Sequence, residues 1–543
     1  MPDRRRAARG SAGRWRTAGF FGLLGLVATA AQVAAALLAP VGIYYPDAFC
    51  YVVVPKGAPC SGHPPGITMV WRILGLGVLS EHRVLLAQAV LGVVSVLLLG
   101  WALRSRGSDR VALVLAGAFA LLPLRLFFAR TLMTETVETF FVCAFLAAAV
   151  QCTRPARWWS HVGWQLVASA CLGAAASVHF AFLPVAIGLW VAMVAITALR
   201  APWVGLARGR RLLGIVGSSS VALAVLLATM LPAALDELRW YGTLSGNPVQ
   251  GTTLAARWSP LLGCTAPAGS LPMTRTVVAA ACRDRAWASP PGKNVDAMWD
   301  PPISASLLRG PDESAAQFAA VQGQLTAIVR SAMLAHPAAV VRQVAASLAW
   351  QVAGSPYDDV YGFHSAASDV ATGDWTLGVP AFPNLATWFD GHPPRHHVGS
   401  VAPMLTVVSG TLRLAQVLLW LALAGSLVRL VQRWGRRRQG QRVDPLLDLR
   451  PLPGEGRRWL TMEAGPLLGV VAGTGLLLAG LATAVGSMPS FHYELPITPF
   501  VLVILGLCLT RPGYVEVPAP EVNCSGLTEM NSASDSAIRV SPA

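Results

Sequence analysis

Charged residues are scarce in this 543-residue chain. Only 13% of its residues are Asp, Glu, Lys or Arg, about half the usual share in a soluble domain. Hydrophobic residues make up 54%, and the mean hydropathy is +0.53. A water-soluble fold of this size could not bury so much apolar surface, and the long apolar runs exclude disorder for most of the chain. The composition therefore predicts a polytopic membrane protein.

Lysine is almost absent, being confined to Lys56 and Lys293, so the net charge of +15 comes from arginine. The arginines are concentrated in short segments between apolar runs. This distribution is typical of membrane topology, and we expect no nucleic-acid partner.

A helix needs about 20 apolar residues to cross the hydrocarbon core. The sequence predicts an all-α fold of about ten transmembrane helices. The predicted spans are 18–40, 84–103, 111–126, 132–151, 162–178, 180–199, 212–235, 402–428, 464–486 and 495–510. The first apolar stretch of about 22 residues exceeds the core of a signal peptide, which favours an anchor over a cleaved leader.

Arginine clusters precede the first span and follow every second span. The positive-inside rule then places both termini in the cytoplasm of a multi-pass plasma-membrane protein. The predicted divisions are a basic N-terminus (1–17), a membrane core (18–235) with a first outer loop (41–83), an extracytoplasmic domain (236–401), C-terminal spans (402–510) with a basic cytoplasmic loop (429–460), and a disordered cytoplasmic tail (511–543).

Four cysteines fall in the predicted outer loops, on the oxidising side of the membrane. Local pairing, the simplest of three connectivities, gives the disulfides Cys50–Cys60 and Cys264–Cys282. Four unpaired thiols are the alternative. The absence of CxxC spacing argues against structural zinc.

Polar residues that could carry chemistry gather at the outer ends of the spans. Asp47 follows the first span, where burial among aromatic residues would suit a general base, although the spacing alone favours a helix-capping aspartate. His63 begins a rigid His-Pro-Pro-Gly turn that could hold it beside Asp47. The apolar stretch 67–80 after that turn is predicted to be an amphipathic helix on the outer surface.

The outer turn between the third and fourth spans carries Arg125, Arg130, Glu135 and Glu138. Arg130 and Glu135 could simply form an ion pair, or the arginine could bind a phosphate while the glutamate orients a hydroxyl. The outer end of the fifth span adds His179, and the segment before the last span adds His492 and Tyr493. Lone histidines are more often structural than functional, but these share one side of the membrane with carboxylates and arginines. The spans themselves are predicted to be free of polar groups in their middle.

These residues resemble the GT-C class of membrane glycosyltransferases, in the branch of protein O-mannosyltransferases and lipid A aminoarabinose transferases. The similar segments are Asp47 with Tyr51 and the His63-Pro64-Pro65-Gly66 turn, Arg130 to Glu135, Gly173 to His179, and His492 to Pro496. Histidine stands at 179 and 492 where the family more usually has a basic lysine or arginine. The outer domain, 236–401, resembles nothing in that family.

The resemblance implies transfer of a sugar from a polyprenyl-phosphate donor to a glycan, lipid or protein acceptor on the outer face. In this scheme Asp47 is the general base and Glu135 positions a ligand or pairs with an arginine. His63, Tyr51, Arg130, His179, His492 and Tyr493 line the donor site. No cofactor is certain. A divalent cation, Mg²⁺ or Mn²⁺, is an option because some members use one, and Asp358 and Asp359 are the weak candidate ligands.

Three other functions fit the same composition: a lipid-carrier flippase or transporter, a polymerase or ligase of lipid-linked glycans, and a structural subunit of a membrane assembly. A transporter is expected to have broken helices and polar groups near the midplane.

Overall fold

The computed structural model describes most of the helical part of the chain. The described residues are 3–38, 66–74, 81–105, 109–131, 133–152, 158–179, 182–199, 208–244, 248–283, 306, 313–353, 424–425, 428, 447–451, 458–462, 464–486 and 494–509. The eighth predicted span, 402–428, and the tail, 511–543, lie almost entirely outside them.

Helices dominate the described residues. In the first half of the chain they are α1 (Asp3–Leu38), α2 (Gly66–Ile73), α3 (Glu81–Arg104), α4 (Asp109–Ala120), α5 (Pro123–Arg130), α6 (Glu135–Cys152), α7 (Trp158–Val178), α8 (Leu183–Leu199) and α9 (Arg208–Tyr241). The second half has α10 (Gln250–Arg257), a 3₁₀ turn (Ser259–Leu261), α11 (Pro272–Arg283), α12 (Ala315–Ala335), α13 (Pro337–Ala353), α14 (Ala464–Gly486) and α15 (Glu494–Leu509).

One antiparallel hairpin departs from the all-α expectation. Strands β1 (Leu447–Pro451) and β2 (Arg458–Met462) pair with Leu449 opposite Leu460. They lie in the basic loop for which only cytoplasmic charge was predicted. The segment Arg458–Met462 contains Trp and Thr, residue types that favour strands, so a signal for the second strand was present in the sequence.

Among the described residues, five helices are long and apolar enough to cross a membrane, or six if a bent pair of helices is counted as one span. The five are Arg16–Leu38, His82–Arg104, Glu135–Cys152, Trp158–Val178 and Leu212–Tyr241. Shorter apolar helices occupy Leu183–Ala198, Gly469–Ala482 and Leu495–Leu507. The chain is thus a helical membrane protein, and the described residues of the predicted spans are mostly helical.

The third predicted span, 111–126, is wrong as a continuous helix. Helix α4 ends at Ala120, α5 begins at Pro123, and the two axes differ by 46°. Leu122 is extended (φ −60°, ψ 118°), as expected before a proline, and Pro123 itself has no N–H to continue the helical hydrogen bonds. The proline therefore ends one helix and starts the next.

Helix α6 forms the centre of the bundle. Nearly all of its residues are buried, and it contacts α3 on one side, α7 on another and α15 on a third. Helices α7 and α9 also approach closely, because a Cβ at Gly173 would lie 2.6 Å from the carbonyl oxygen of Leu226. Small residues at such crossings allow backbone contact between membrane helices.

Helix α9 continues to Tyr241, beyond the end of the predicted span at 235. Helices α12 and α13 follow it in the second half of the chain and separate at Pro337. Ser314 caps α12 in a capping box with Gln317. Trp258 is fully buried in the small core between α10, α11 and α12.

A disulfide joins Cys264 to Cys282 across this small core, with the Cα atoms 5.2 Å apart. This is one of the two pairings proposed from the sequence. Cys50 and Cys60 lie outside the described residues.

Candidate functional site

The turn between α5 and α6 buries a dense group of polar side chains. Arg130, Glu135 and Glu138 are each at most 6% exposed. The turn is held to α3, because Gln88 Nε2 donates to the carbonyl oxygen of Met133 at 3.2 Å. Burial of ionisable groups at a helix end of a membrane protein is expensive, which marks this turn as a candidate site.

A contact between Glu138 and His179 connects this turn to the neighbouring helix. His179 Nδ1 lies 2.7 Å from a carboxylate oxygen of Glu138, and the two side chains are 15% and 3% exposed. Glu138 is in the first turn of α6, and His179 directly follows α7, its N–H bonded to Ala175. A carboxylate on one ring nitrogen fixes the orientation and tautomer of the imidazole.

Sequence reasoning placed His179 in the site but gave the acidic role to Glu135 rather than Glu138. Both glutamates lie in the first turn of α6, three residues apart, and both are buried. That spacing puts them on one helix face, so the sequence signal was present. Which of them meets His179 depends on how α6 packs against α7.

Gly66, the last residue of the His-Pro-Pro-Gly motif, lies close to the end of α7. A Cβ at Gly66 would overlap the carbonyl oxygen of Ser177, two residues before His179. Helix α2 then buries Ile67 and Trp71 at 1% and 3% exposure. The motif therefore ends against the last turn of α7, beside the Glu138–His179 pair.

The surface helix predicted for 67–80 is shorter than expected. Helix α2 ends at Ile73, which is 83% exposed, and residues 75–80 lie outside the described part. The exposed residues at the end of this segment are themselves apolar, since Ile73 and Leu74 are exposed while Ile67 and Trp71 are buried.

Several predicted site residues lie outside the described residues, so the site described above does not include them. They are Asp47, Tyr51, His63, His492, Tyr493, Asp358 and Asp359. In the described part of the chain, no group of three or more His, Cys, Asp or Glu side chains could hold a metal ion.

The expectation that the spans lack polar groups in their middle is wrong. Gln32 in α1, Arg125 in α5 and Gln165 in α7 are each at most 5% exposed. Near the start of α7, His161 Nε2 lies 3.3 Å from the hydroxyl of Thr197. Isolated glutamines and one arginine within apolar runs do not change a hydropathy average enough to be noticed.

A buried arginine outside the spans was also missed. Arg257, at the end of α10, is 1% exposed; its guanidinium donates to the Ser347 hydroxyl and its carbonyl oxygen accepts from Gln343 Nε2 at 3.1 Å. Burial lowers the pKa of Arg257 to about 10, so it remains charged at neutral pH. Its contacts tie α10 to α13 and indicate a structural role in the outer region.

Comparison of the chain with family models, with curated proteins and with solved structures finds no match.

Proposed function

We propose that the protein is an integral-membrane glycosyltransferase that moves a sugar from a polyprenyl-phosphate donor to an acceptor on the outer face. The observation that supports this best is the meeting of three distant segments: Glu138 from α6, His179 from the end of α7, and Gly66 from the His-Pro-Pro-Gly turn. A partly buried histidine that a carboxylate orients is suited to a departing phosphate.

In the proposed reaction the acceptor hydroxyl oxygen attacks the anomeric carbon of the donor sugar. The bond from that carbon to the phosphate oxygen breaks, and the lipid phosphate keeps the electron pair. Asp47 takes the hydroxyl proton. Arg130, His179 and His492 stabilise the phosphate, Glu135 positions a ligand, and His63 supports Asp47. The proposal includes ten spans, cytoplasmic termini and an outer active site.

The test is transfer of labelled sugar from polyprenyl phosphate by purified protein in proteoliposomes. Asp47→Asn should abolish transfer while leaving the membrane level unchanged. Asp109→Asn is the matched control, because Asp109 forms an exposed ion pair with Arg104 at 2.8 Å at the opposite end of α4. A fully active Asp47→Asn protein would remove the proposed base, and absence of transfer by the unmodified protein with every donor would remove the enzyme.

The break between α4 and α5 favours a second candidate, a lipid-carrier transporter. Broken helices with buried polar groups are typical of transporter substrate sites. A transporter would move the lipid-linked sugar between leaflets with the sugar–phosphate bond intact, so chromatography of the lipid product separates the two functions.

A further inference from the structure

Arg125 lies under the break between α4 and α5, inside the bundle. It is 2% exposed. Its Nε donates to the carbonyl oxygen of Phe119 at 3.0 Å and its Nη2 to that of Ala120. These carbonyl groups belong to the last turn of α4, and that of Phe119 also accepts the N–H of Leu122 at 3.3 Å. At 1.5 Å per residue they are about 16 Å from Asp109, near the middle of a bilayer about 30 Å thick.

The third guanidinium nitrogen has no such partner. Arg125 Nη1 is buried and donates to no acceptor among the described residues. Arg125 also forms no ion pair with any residue of the described part. The carbonyl dipoles of α4 reduce the free-energy cost of the charge but do not neutralise it, and an uncompensated arginine within a span is expensive.

A second buried polar group points to the same spot. Gln32 in α1 is 5% exposed, and neither its amide nitrogen nor its oxygen has a hydrogen-bond partner among the described residues. Its Nε2 lies 2.8 Å, and Arg125 Nη1 3.0 Å, from the position that a Cβ would take on Gly92 of α3. Two donors therefore converge on Gly92, which has no side chain.

The Arg125 guanidinium and the Gln32 amide together favour a negatively charged ligand. One guanidinium contributes a full positive charge and directed N–H donors, and the amide contributes further donors. A cation would be repelled, whereas an anion would accept both groups and supply the missing counter-charge. Because Gly92 has no side chain, both donors can lie close to its backbone, and a Cβ there would crowd them.

We propose that Gln32, Gly92 and Arg125 form a membrane-embedded binding site for an anion. The ligand chemistry is an oxyanion or halide that accepts from a guanidinium and an amide together. Its source is either a small inorganic anion or the phosphate group of a lipid. This site is separate from the Glu138–His179 pair and does not depend on the proposed transferase activity.

The experiment measures thermal unfolding of the full-length protein in nanodiscs at constant ionic strength. Chloride and inorganic phosphate are titrated against gluconate, and a parallel series contains polyprenyl phosphate in the bilayer. A ligand that binds only the folded protein raises Tm in a saturable manner. We expect such a rise with at least one of these anions.

Two glycine variants locate the effect. Gly92→Ala places a methyl group where the donors converge and should abolish the rise. Gly117→Ala in α4 meets nothing within 4 Å and should keep it. Gln32→Leu, of similar volume but without an amide, should weaken apparent binding about tenfold, the loss of one hydrogen bond to a charged group, and serves if Gly92→Ala does not fold.

Each outcome is decisive. A rise with chloride or inorganic phosphate that Gly92→Ala loses supports a small-anion site. A rise with polyprenyl phosphate alone, lost in the same variant, supports a lipid phosphate. No rise with any anion, or an equal rise in Gly92→Ala and Gln32→Leu, overturns the proposal.

Discussion

Replacing Glu138 tests whether its pair with His179 serves the reaction or only the fold. The carboxylate lies 2.7 Å from His179 Nδ1 and is 3% exposed. Glu138→Gln keeps an oxygen that can accept from Nδ1 but removes the charge. A hydrogen bond to a charged group contributes about 1.5–3 kcal/mol and a neutral one about 0.5–1.5 kcal/mol. The difference, about 1 kcal/mol or slightly more, predicts a fall in transfer rate of roughly tenfold.

Glu138→Ala removes the acceptor as well and leaves a buried donor without a partner. The cost of an unsatisfied buried group, about 1–3 kcal/mol, should lower the rate further, to roughly a hundredth of the unmodified value. The assay is initial-rate transfer of labelled sugar in proteoliposomes, with Asp109→Asn as control because its ion pair with Arg104 is exposed and contributes little. If the Gln and Ala variants both transfer sugar at rates within twofold of the unmodified protein, the pair does not serve the reaction.

Three further substitutions test other parts of the structure. Gly66→Ala should lower the transfer rate more than tenfold at a near-normal level of protein in the membrane, because the added methyl group would clash with the carbonyl oxygen of Ser177. Transfer assays and quantitative membrane blotting measure the two quantities. A normal rate would show that the position of Gly66 does not matter for the reaction. Cys264→Ser should lower the free energy of unfolding of the small core of α10, α11 and α12 by about 3 kcal/mol, the loop-closure value for a separation of 18 residues. Chemical denaturation followed by Trp fluorescence measures this free energy. An unchanged value would mean that the disulfide does not constrain this core. Ser314→Ala should cost about 1 kcal/mol, since it removes the capping box of α12; amide exchange in the first turn of α12 reports it, and unchanged protection would contradict the cap.

The positions of the helices could be predicted because apolar length alone sets them. Nothing in that argument distinguishes a straight span from a broken one, although Pro123 was visible in the third run. Arg125 was placed at the outer turn because it lies near the end of that run. The structure buries it inside the bundle, where its guanidinium donates to the carbonyl oxygens of Phe119 and Ala120.

The site was predicted as a set of residue types on one side of the membrane, not as a set of contacts. Glu138 and His179 are 41 residues apart, and their pairing is decided by the packing of α6 on α7. Likewise, the importance of Gly66 was visible in its motif, whereas its contact with Ser177 was not.

The positions of the buried polar groups bear on the choice between enzyme and transporter. A transporter needs hydrophilic groups that continue from one side of the bilayer to the other. Arg125 and Gln32 belong to α5 and α1 and approach Gly92 of α3, whereas His161 and Gln165 belong to α7. Helix α6 packs against both α3 and α7, and it buries Val142, Phe145 and Leu146 at no more than 1% exposure. In the described part of the chain the two polar groups therefore lie on different helices around α6, an arrangement that supports the proposed enzyme with a separate anion site better than a continuous path through the bundle.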